Sequence, residues 1–245
     1  MPSLAPVPST HALAATRRSW HLLAAHVVAE ERFRRVGHSG LEPTPQGFRT
    51  PGDVPGGVEV ELDQLVIRRA DGVFRRSVTT IGDAQSWVLG EVGPPRWGEQ
   101  PGLHDPPVAV AASMPLPIDP GVAAWLGHWF SLGYAALGEL VADEASADAG
   151  VPTLWPEHFD VGVEVLPDDR RASYGVSPGD TTIAEPYAYV ALWEPDRHGA
   201  ATDLWWSATA LAGATMTARE LAATDGPGQE LLAWFMAGRD RLLAA

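Results

Sequence analysis

The stretch Val58-Glu59-Val60-Glu61-Leu62, with residues 65–69 and 73–78 after it, decides the fold class. Its apolar residues alternate with glutamate, which is the period of a half-buried β-strand. Asp71-Gly72 separates the two segments that follow and favours a tight hairpin turn. Strands joined by such turns pair antiparallel. The sequence therefore predicts an antiparallel sheet in the first half of the chain.

Helices are predicted on both sides of this strand set. Apolar residues recur at helical spacing over residues 16–35, and Gly37 is placed to end that helix. A short helix is predicted over residues 83–88. Asp119-Pro120 begins a second long helix, because aspartate caps helix ends and proline suits the first helical position. The pattern over residues 229–243 predicts a final, amphipathic helix.

A second strand set is predicted in the other half of the chain. It comprises residues 159–166, 172–176 and 187–193, with a turn at Asp168-Asp169 between the first two. The β-favouring apolar residues 108–112 predict one further strand.

The order helix, antiparallel strands, helix therefore occurs twice, over residues 16–98 and 119–245, with a Pro-rich segment between them. This order predicts an α+β fold of antiparallel sheets and long helices, with two similar helix–strands–helix halves that share one core. A single unrepeated sheet is the alternative. We expect one domain over residues 16–245 after a flexible N-terminus at residues 1–15.

The composition is that of a soluble folded protein, with 45% hydrophobic and 20% charged residues among 245. No apolar run approaches the about 18 residues that span a bilayer, and no signal-peptide pattern is present, so we expect a cytoplasmic location without membrane contact. A net charge of −14 disfavours a nucleic-acid surface, because phosphate binding needs clustered positive charge. The oligomeric state is left open.

Two missing residue types exclude whole classes of chemistry. Cysteine is absent, which excludes disulfides, thiolate nucleophiles and Cys-based metal sites. Lysine is absent too, so all 17 basic residues are arginine, and Schiff-base chemistry and a P-loop lysine are excluded. The sequence predicts no cofactor.

The segment Gly175-Val176-Ser177-Pro178-Gly179 matches the Gly-x-Ser-x-Gly elbow of serine hydrolases in its spacing. In that elbow the amide after the serine donates to the oxyanion, and Pro178 has no N–H. A hydrolase is therefore disfavoured.

His158-Phe159-Asp160 places a histidine and an aspartate two residues apart, on one face of a strand. The pair supports an acid–base site, with Asp180 as a further candidate, or a metal site with His198 as the third ligand. The structural interpretation is that His158 hydrogen-bonds to Asp160 or the backbone, and that Asp180 orders a turn. No metal is predicted, because no strict ligand spacing supports one.

Ten tryptophans are many for this length, and several lie in or beside the second strand set together with tyrosines. Aromatic residues fill protein cores, and they also line small-molecule pockets where a few polar groups converge. The functional interpretation is a ligand-binding pocket lined by Trp155, His158, Asp160, Tyr174, Glu185, Tyr187 and Trp193.

Three segments of the second half occur in a recognisable order. They are Trp155-Pro156-Glu157-His158-Phe159-Asp160, Tyr174-Gly175-Val176-Ser177-Pro178-Gly179-Asp180 and Glu185-Pro186-Tyr187-Ala188-Tyr189-Val190. With these segments the chain resembles an uncharacterised bacterial family, a domain of unknown function, and the resemblance implies no activity. The sequence therefore predicts a small-molecule or peptide-binding domain with an aromatic-lined pocket. An enzyme that uses His158 and Asp160 is one alternative, and a structural or protein-interaction protein is another.

Overall fold

The structure is a computed structural model of the chain. The residues that it describes are 4–52, 57–101, 103, 105–166, 170–194, 203–208 and 211–244. The predicted turn at Asp168-Asp169 and His198 lie outside them. Contacts divide the chain into two units. The first unit comprises Pro8–His128 and Leu154–Phe159, and the second comprises Met1–Val7, Trp129–Thr153 and Asp160–Ala245.

The first unit holds a five-stranded antiparallel sheet in which strands that follow each other in sequence are neighbours. The alternating stretch that begins at Val58 forms its central strand, and a hairpin turn at Asp71 joins its last two strands, as predicted. The strands are β1 (Glu42–Thr44), β2 (Gly47–Arg49), β3 (Gly57–Glu61), β4 (Gln64–Arg69) and β5 (Gly72–Ser77).

The first helical segment begins earlier than predicted and ends where predicted. Its start is Thr10 rather than residue 16, because the Ser9 side chain caps it by accepting a hydrogen bond from the Ala12 N–H. Gly37 ends it with a φ of 71°, which glycine adopts at little cost. The helical elements of this part are α1 (Thr10–Leu23), a π-helical turn (Ala24–Val28), α2 (Ala29–Val36), α3 (Ile81–Leu89) and a 3-10 turn (Arg96–Glu99).

The strand predicted over residues 108–112 is wrong, because these residues form no strand in the structure. Their backbone bonds to a helix instead: the carbonyl of Ala112 accepts the N–H of Gly82, in the first turn of α3, over 2.9 Å. The two segments come this close because Gly82 has no side chain. A Cβ at that position would lie 2.9 Å from the Cβ of Ala112.

Trp20 of α1 anchors the core of the first unit. Its indole N–H donates to the Leu62 carbonyl over 2.9 Å, and its ring packs edge-on against Phe48 with the centroids 5.6 Å apart. Phe48 in turn packs against Phe159, at 5.7 Å. All three rings are buried. The apolar face of the sheet therefore packs against α1, as the alternation of β3 requires.

The second unit is built on another five-stranded antiparallel sheet. Its strands are β6 (Thr153–Trp155, whose last two residues belong to the first unit), β7 (Asp160–Val165), β8 (Ala172–Ser177), β9 (Tyr187–Leu192) and β10 (Gly213–Thr217). Their order is β10-β9-β8-β7-β6. The three strands β7, β8 and β9 were predicted, whereas β6 and β10 were not. Two antiparallel sheets with long helices confirm the α+β class.

Helix α4 (Pro120–Ala142) begins as the sequence predicted. The Oδ1 atom of Asp119 accepts hydrogen bonds from the N–H groups of Gly121 and Val122, over 2.8 and 3.0 Å. Two amides that have no partner within the helix are thereby satisfied.

The second unit has its own core, on the apolar face of its sheet. Trp129 of α4 donates its indole N–H to the Ser177 carbonyl over 2.9 Å. Tyr174 of β8 packs edge-on against Phe235, with the centroids 6.1 Å apart. The remaining helices of this unit are α5 (Ala218–Ala222) and α6 (Pro227–Ala244), which carries Phe235.

Helices in the described ranges are all too short or too polar to cross a membrane. The single domain over residues 16–245 and the duplication of its two halves stay predictions.

Replacing Asp119 tests the cap of α4. We expect Asp119→Ala to lower the free energy of unfolding by about 1 kcal/mol, because two N–H groups lose their acceptor. Asp119→Asn keeps a side-chain oxygen and should retain most of the stability. Urea unfolding followed by circular dichroism measures both variants. Equal stability of the alanine variant and the parent would contradict the role of Asp119.

Candidate functional site

Trp155 and His158, two of the predicted pocket residues, belong to the first unit and lie at its surface. His158 Nδ1 lies 3.5 Å from an oxygen of Asp105, and its Nε2 lies 3.3 Å from one of Glu157. These are solvent-exposed contacts, since 42% of the His158 side chain is accessible. In the described ranges, no three His, Asp or Glu side chains are grouped so that they could hold a metal ion, and His198 lies outside those ranges.

Asp160, a predicted residue of the second unit, forms a hydrogen-bonded pair with Tyr189 on the polar face of the second sheet. The Tyr189 hydroxyl donates to Asp160 Oδ2. The strand register places Tyr189 of β9 beside Gly175 of β8, which faces Gly162 of β7. Because these glycines lack side chains, the phenol ring can cross both strands to reach an aspartate two strands away.

Tyr187 and Asp180 form a second pair next to the first. The Tyr187 hydroxyl donates to Asp180 Oδ2 over 2.7 Å. The other oxygen of Asp180 accepts the N–H groups of Thr182 and Ile183, over 2.6 and 2.7 Å, so this carboxylate also orders a turn. The ring of Tyr187 lies 6.2 Å from that of Tyr189, which brings the two pairs together.

Burial holds both tyrosines in their protonated form. It raises the pKa of Tyr189 and of Tyr187, and the neighbouring carboxylates of Asp160 and Asp180 raise these pKa values further. Both hydroxyls therefore act as hydrogen-bond donors at neutral pH. Tyr189 was missing from the predicted set, although the spacing Tyr187-Ala188-Tyr189 places both tyrosines on one face of a strand.

The other predicted residues of the second unit have different surroundings. Tyr174 lies on the opposite, apolar face of the sheet, and burial raises the pKa of its hydroxyl. Glu185 pairs with Arg219, with 3.0 Å between Oε1 and Nε. Trp193 is 54% exposed, and its indole N–H donates to Ser173 Oγ over 3.0 Å. A ligand-binding role for this set stays a prediction.

Ser177 lacks the surroundings of a serine-hydrolase nucleophile. It ends β8, and residues 178–186 form no helix. Its Oγ accepts the N–H of Gly179 over 3.1 Å. The elbow requires a strand, a turn and a helix in succession, so the geometry agrees with the missing amide at Pro178.

A second candidate site lies in the first unit, at the π-helical turn Ala24–Val28. Two of its carbonyls accept hydrogen bonds from side chains of later elements. Trp97 Nε1–H donates to the carbonyl of Ala25 over 2.7 Å, and Gln85 Nε2–H donates to that of His26 over 3.3 Å. A π-helical turn is rare and occurs often at functional sites. These bonds fix the turn against α3 and the 3-10 turn.

A cavity of about 90 Å³ opens beside this turn. Its deep end is polar and buried, since His26 and Gln85 are each 3% exposed. Val92 and Ala109 at its mouth are exposed to solvent. Among the described residues, no Asp, Glu, Lys or Arg side chain lines the cavity. The lining residues are His26, Gln85, Val92, Gly93, Pro94, Ala109 and Val110.

His26 lines this cavity as a neutral imidazole. Burial lowers the pKa of His26 to about 4, with a smaller contribution from His21. A neutral imidazole has one N–H donor and one acceptor nitrogen. Among the described residues, none makes a hydrogen bond to either nitrogen, and both nitrogens keep some accessible surface. The only sequence signal was a histidine in an apolar helical stretch, which does not reveal a cavity.

Comparison with family models, with curated proteins and with solved structures gives no match for this chain. This outcome is consistent with the resemblance to a family of unknown function. The function is therefore inferred from the geometry of the structure alone.

The lowered pKa of His26 predicts a loss of stability in mild acid. In the unfolded chain the imidazole takes up a proton below its ordinary pKa of 6.5, whereas in the folded protein it does so only near pH 4. Stability is therefore lost as pH falls from about 6.5 to about 4, with about 2 kcal/mol of the loss between pH 7 and pH 5. Urea unfolding at both pH values should show a smaller difference in His26→Gln. The exposed His38→Gln serves as the control, and an unchanged pH dependence in His26→Gln would refute this origin.

A substitution at Gly175 tests the close packing of the Tyr189 ring against this position. A Cβ at Gly175 would lie 2.7 Å from Tyr189 Cε1, so we expect Gly175→Ala to displace the ring and cost about 1–3 kcal/mol of stability. Gly138→Ala, in α4, meets no atom within 4 Å and should be neutral or stabilising. Thermal unfolding compares the two variants. Equal effects would show that the close approach at Gly175 is unimportant.

Proposed function

We propose that the protein binds a small, uncharged organic molecule in the cavity beside His26. The observation that carries this proposal is a buried neutral imidazole that lines an open cavity and has no hydrogen-bond partner among the described residues. Neither ring nitrogen is among the fully enclosed side-chain atoms that lack a partner, so both are accessible and can take up a hydrogen-bond partner. A molecule in the cavity would supply one.

The electrostatics of the cavity favour an uncharged ligand. Of the residues that the structure describes, no Asp, Glu, Lys or Arg lines it, so a buried ion would lose its hydration without gaining a counter-charge from them. His26 offers one donor and one acceptor. The Gln85 amide nitrogen donates to the carbonyls of His26 and Gly93, which leaves the amide oxygen as a further acceptor. A hydroxyl or amide group complements this set.

The volume of the cavity limits the enclosed part of the ligand. At about 90 Å³ it is smaller than the roughly 150 Å³ cavity that holds benzene, so about four non-hydrogen atoms fit inside. The aliphatic side chains of Val92 and Val110 suit an apolar group next to the polar one. A longer molecule would extend past the exposed Ala109 into solvent. The ligand class is therefore a small alcohol or amide, or a larger molecule that ends in one.

Acetamide and propan-2-ol, compared with acetate and propylammonium, test this proposal. We expect the two neutral probes to shift the imidazole resonances of His26 in a titration followed by NMR, and the charged probes to leave them unchanged. His26→Leu removes the donor and acceptor and should weaken binding by about five- to tenfold, as followed in the amide resonances of Gln85 and Gly93, which also line the cavity.

A variant that blocks the mouth of the cavity distinguishes a loss of binding from a loss of folding. Ala109→Phe places a ring at the mouth of the cavity on an exposed position, and it should abolish binding without a change in melting temperature. Val108→Phe changes the exposed neighbour, which does not line the cavity, and should bind as the parent does. Equal binding by neutral and charged probes, or undiminished binding by Ala109→Phe, would refute the proposal.

A further inference from the structure

The outer edge of the first sheet is formed by β5, and this edge is open to solvent. β5 pairs with β4 through six consecutive residue pairs and stands last in the strand order. Residues 73–77 are all exposed, including Val73 at 53% and Phe74 at 42%. Backbone groups on the outer side of an edge strand are free to pair with a further strand.

The usual protection of such an edge is incomplete in β5. Natural edge strands are commonly guarded by proline, by a bulge, by short length or by charged residues. β5 contains no proline, its register with β4 is continuous, and it is six residues long. Of these protective features, β5 has only the charged residues Arg75 and Arg76. A partner that tolerates or uses these arginines can therefore add a strand here.

Charged side chains on the polar face of the sheet form a connected cluster that ends at Arg75, with the buried Val66 between Glu59 and Arg75 in the register. Arg68 bonds to both Glu59 and Glu61, at 2.9 Å in each case. Arg75, the outermost member, pairs with Glu61 and keeps 46% of its side chain exposed. Arg75 donates to Glu61 through both terminal nitrogens, and each of these nitrogens carries a second N–H for another acceptor. The next strand would therefore place an acidic residue opposite Arg75.

The apolar face of the sheet also continues to this edge. The register aligns Val58 of β3, Ile67 of β4 and Phe74 of β5 in one row across the sheet. The first two are buried, and Phe74 is half-exposed, with the guanidinium of Arg69 5.7 Å from its ring centroid. An apolar residue on an added strand would cover the open side of Phe74.

We infer that the β5 edge binds an extended peptide in which apolar and acidic residues alternate. The apolar residues would extend the row that ends at Phe74, and an acidic residue opposite Arg75 would extend the charge cluster that ends there. The pattern that fits is already present on the other side of β4, in the Val58-Glu59-Val60-Glu61 segment of β3. This surface is independent of the His26 cavity.

The test uses the peptide Gly-Val-Glu-Val-Glu-Leu, which has the sequence of residues 57–62, and a matched peptide with lysine in place of both glutamates. In NMR titrations of the whole protein, the acidic peptide should shift the amide resonances of residues 73–77, and the lysine peptide should bind up to about fivefold more weakly for each charge pair. Arg75→Glu should reverse this preference.

Two controls distinguish strand addition from general charge attraction. Arg76→Glu lies on the same strand but the other face, so it should keep the preference for the acidic peptide. Arg241→Glu changes a distant arginine in α6 and should also keep it. Equal binding of both peptides, the absence of shifts in residues 73–77, or the same reversal by all three variants would overturn the inference. A dimer that forms through β5 without peptide, detected by sedimentation, would overturn the choice of partner.

Discussion

In both sheets of this protein, the two-residue period of a strand assigns alternate side chains to opposite faces. In the first sheet this period places Val60 in the core and Glu61 among the arginines. In the second sheet it sends Tyr174 into the core, while Gly175 and its cross-strand neighbour Tyr189 lie on the polar face. A register slip of one residue would bury the charge cluster. The charge cluster, the tyrosine–aspartate pairs and the chemistry of the β5 edge all follow from this constraint.

Burial favours the uncharged form of His26, Tyr187 and Tyr189. It lowers the pKa of His26 and raises the pKa of Tyr187 and Tyr189, so each group is held in its uncharged form. Uncharged groups in such surroundings act through hydrogen bonds, with fixed donors and acceptors. In the second unit the donors meet carboxylates of the protein itself. At His26 the described residues supply no such partner, which is why the cavity carries the functional proposal.

The elements that the sequence predicted well are those with local causes. Alternation and a turn residue define β3, β4 and β5, and the capping aspartate at 119 defines the start of α4. The strand prediction for residues 108–112 failed because apolar, β-favouring residues form a strand only when a partner strand is available. Their backbone bonds instead to Gly82. β10 was missed because small and polar residues give it little alternation, and its pairing with β9 stabilises it.

By itself, the sequence determined the α+β class, the position of most strands and helices, and the exclusion of thiolate and lysine chemistry, because these depend on composition and on neighbours a few residues apart. Only the tertiary structure decided which polar groups meet. Asp160 and Tyr189 are hydrogen-bonded although they are 29 positions apart in the sequence, and the His26 carbonyl and Gln85 are hydrogen-bonded although they are 59 apart. The cavity and the pKa of His26 depend on desolvation, which is a property of packing around a residue and has no signature in the residue itself.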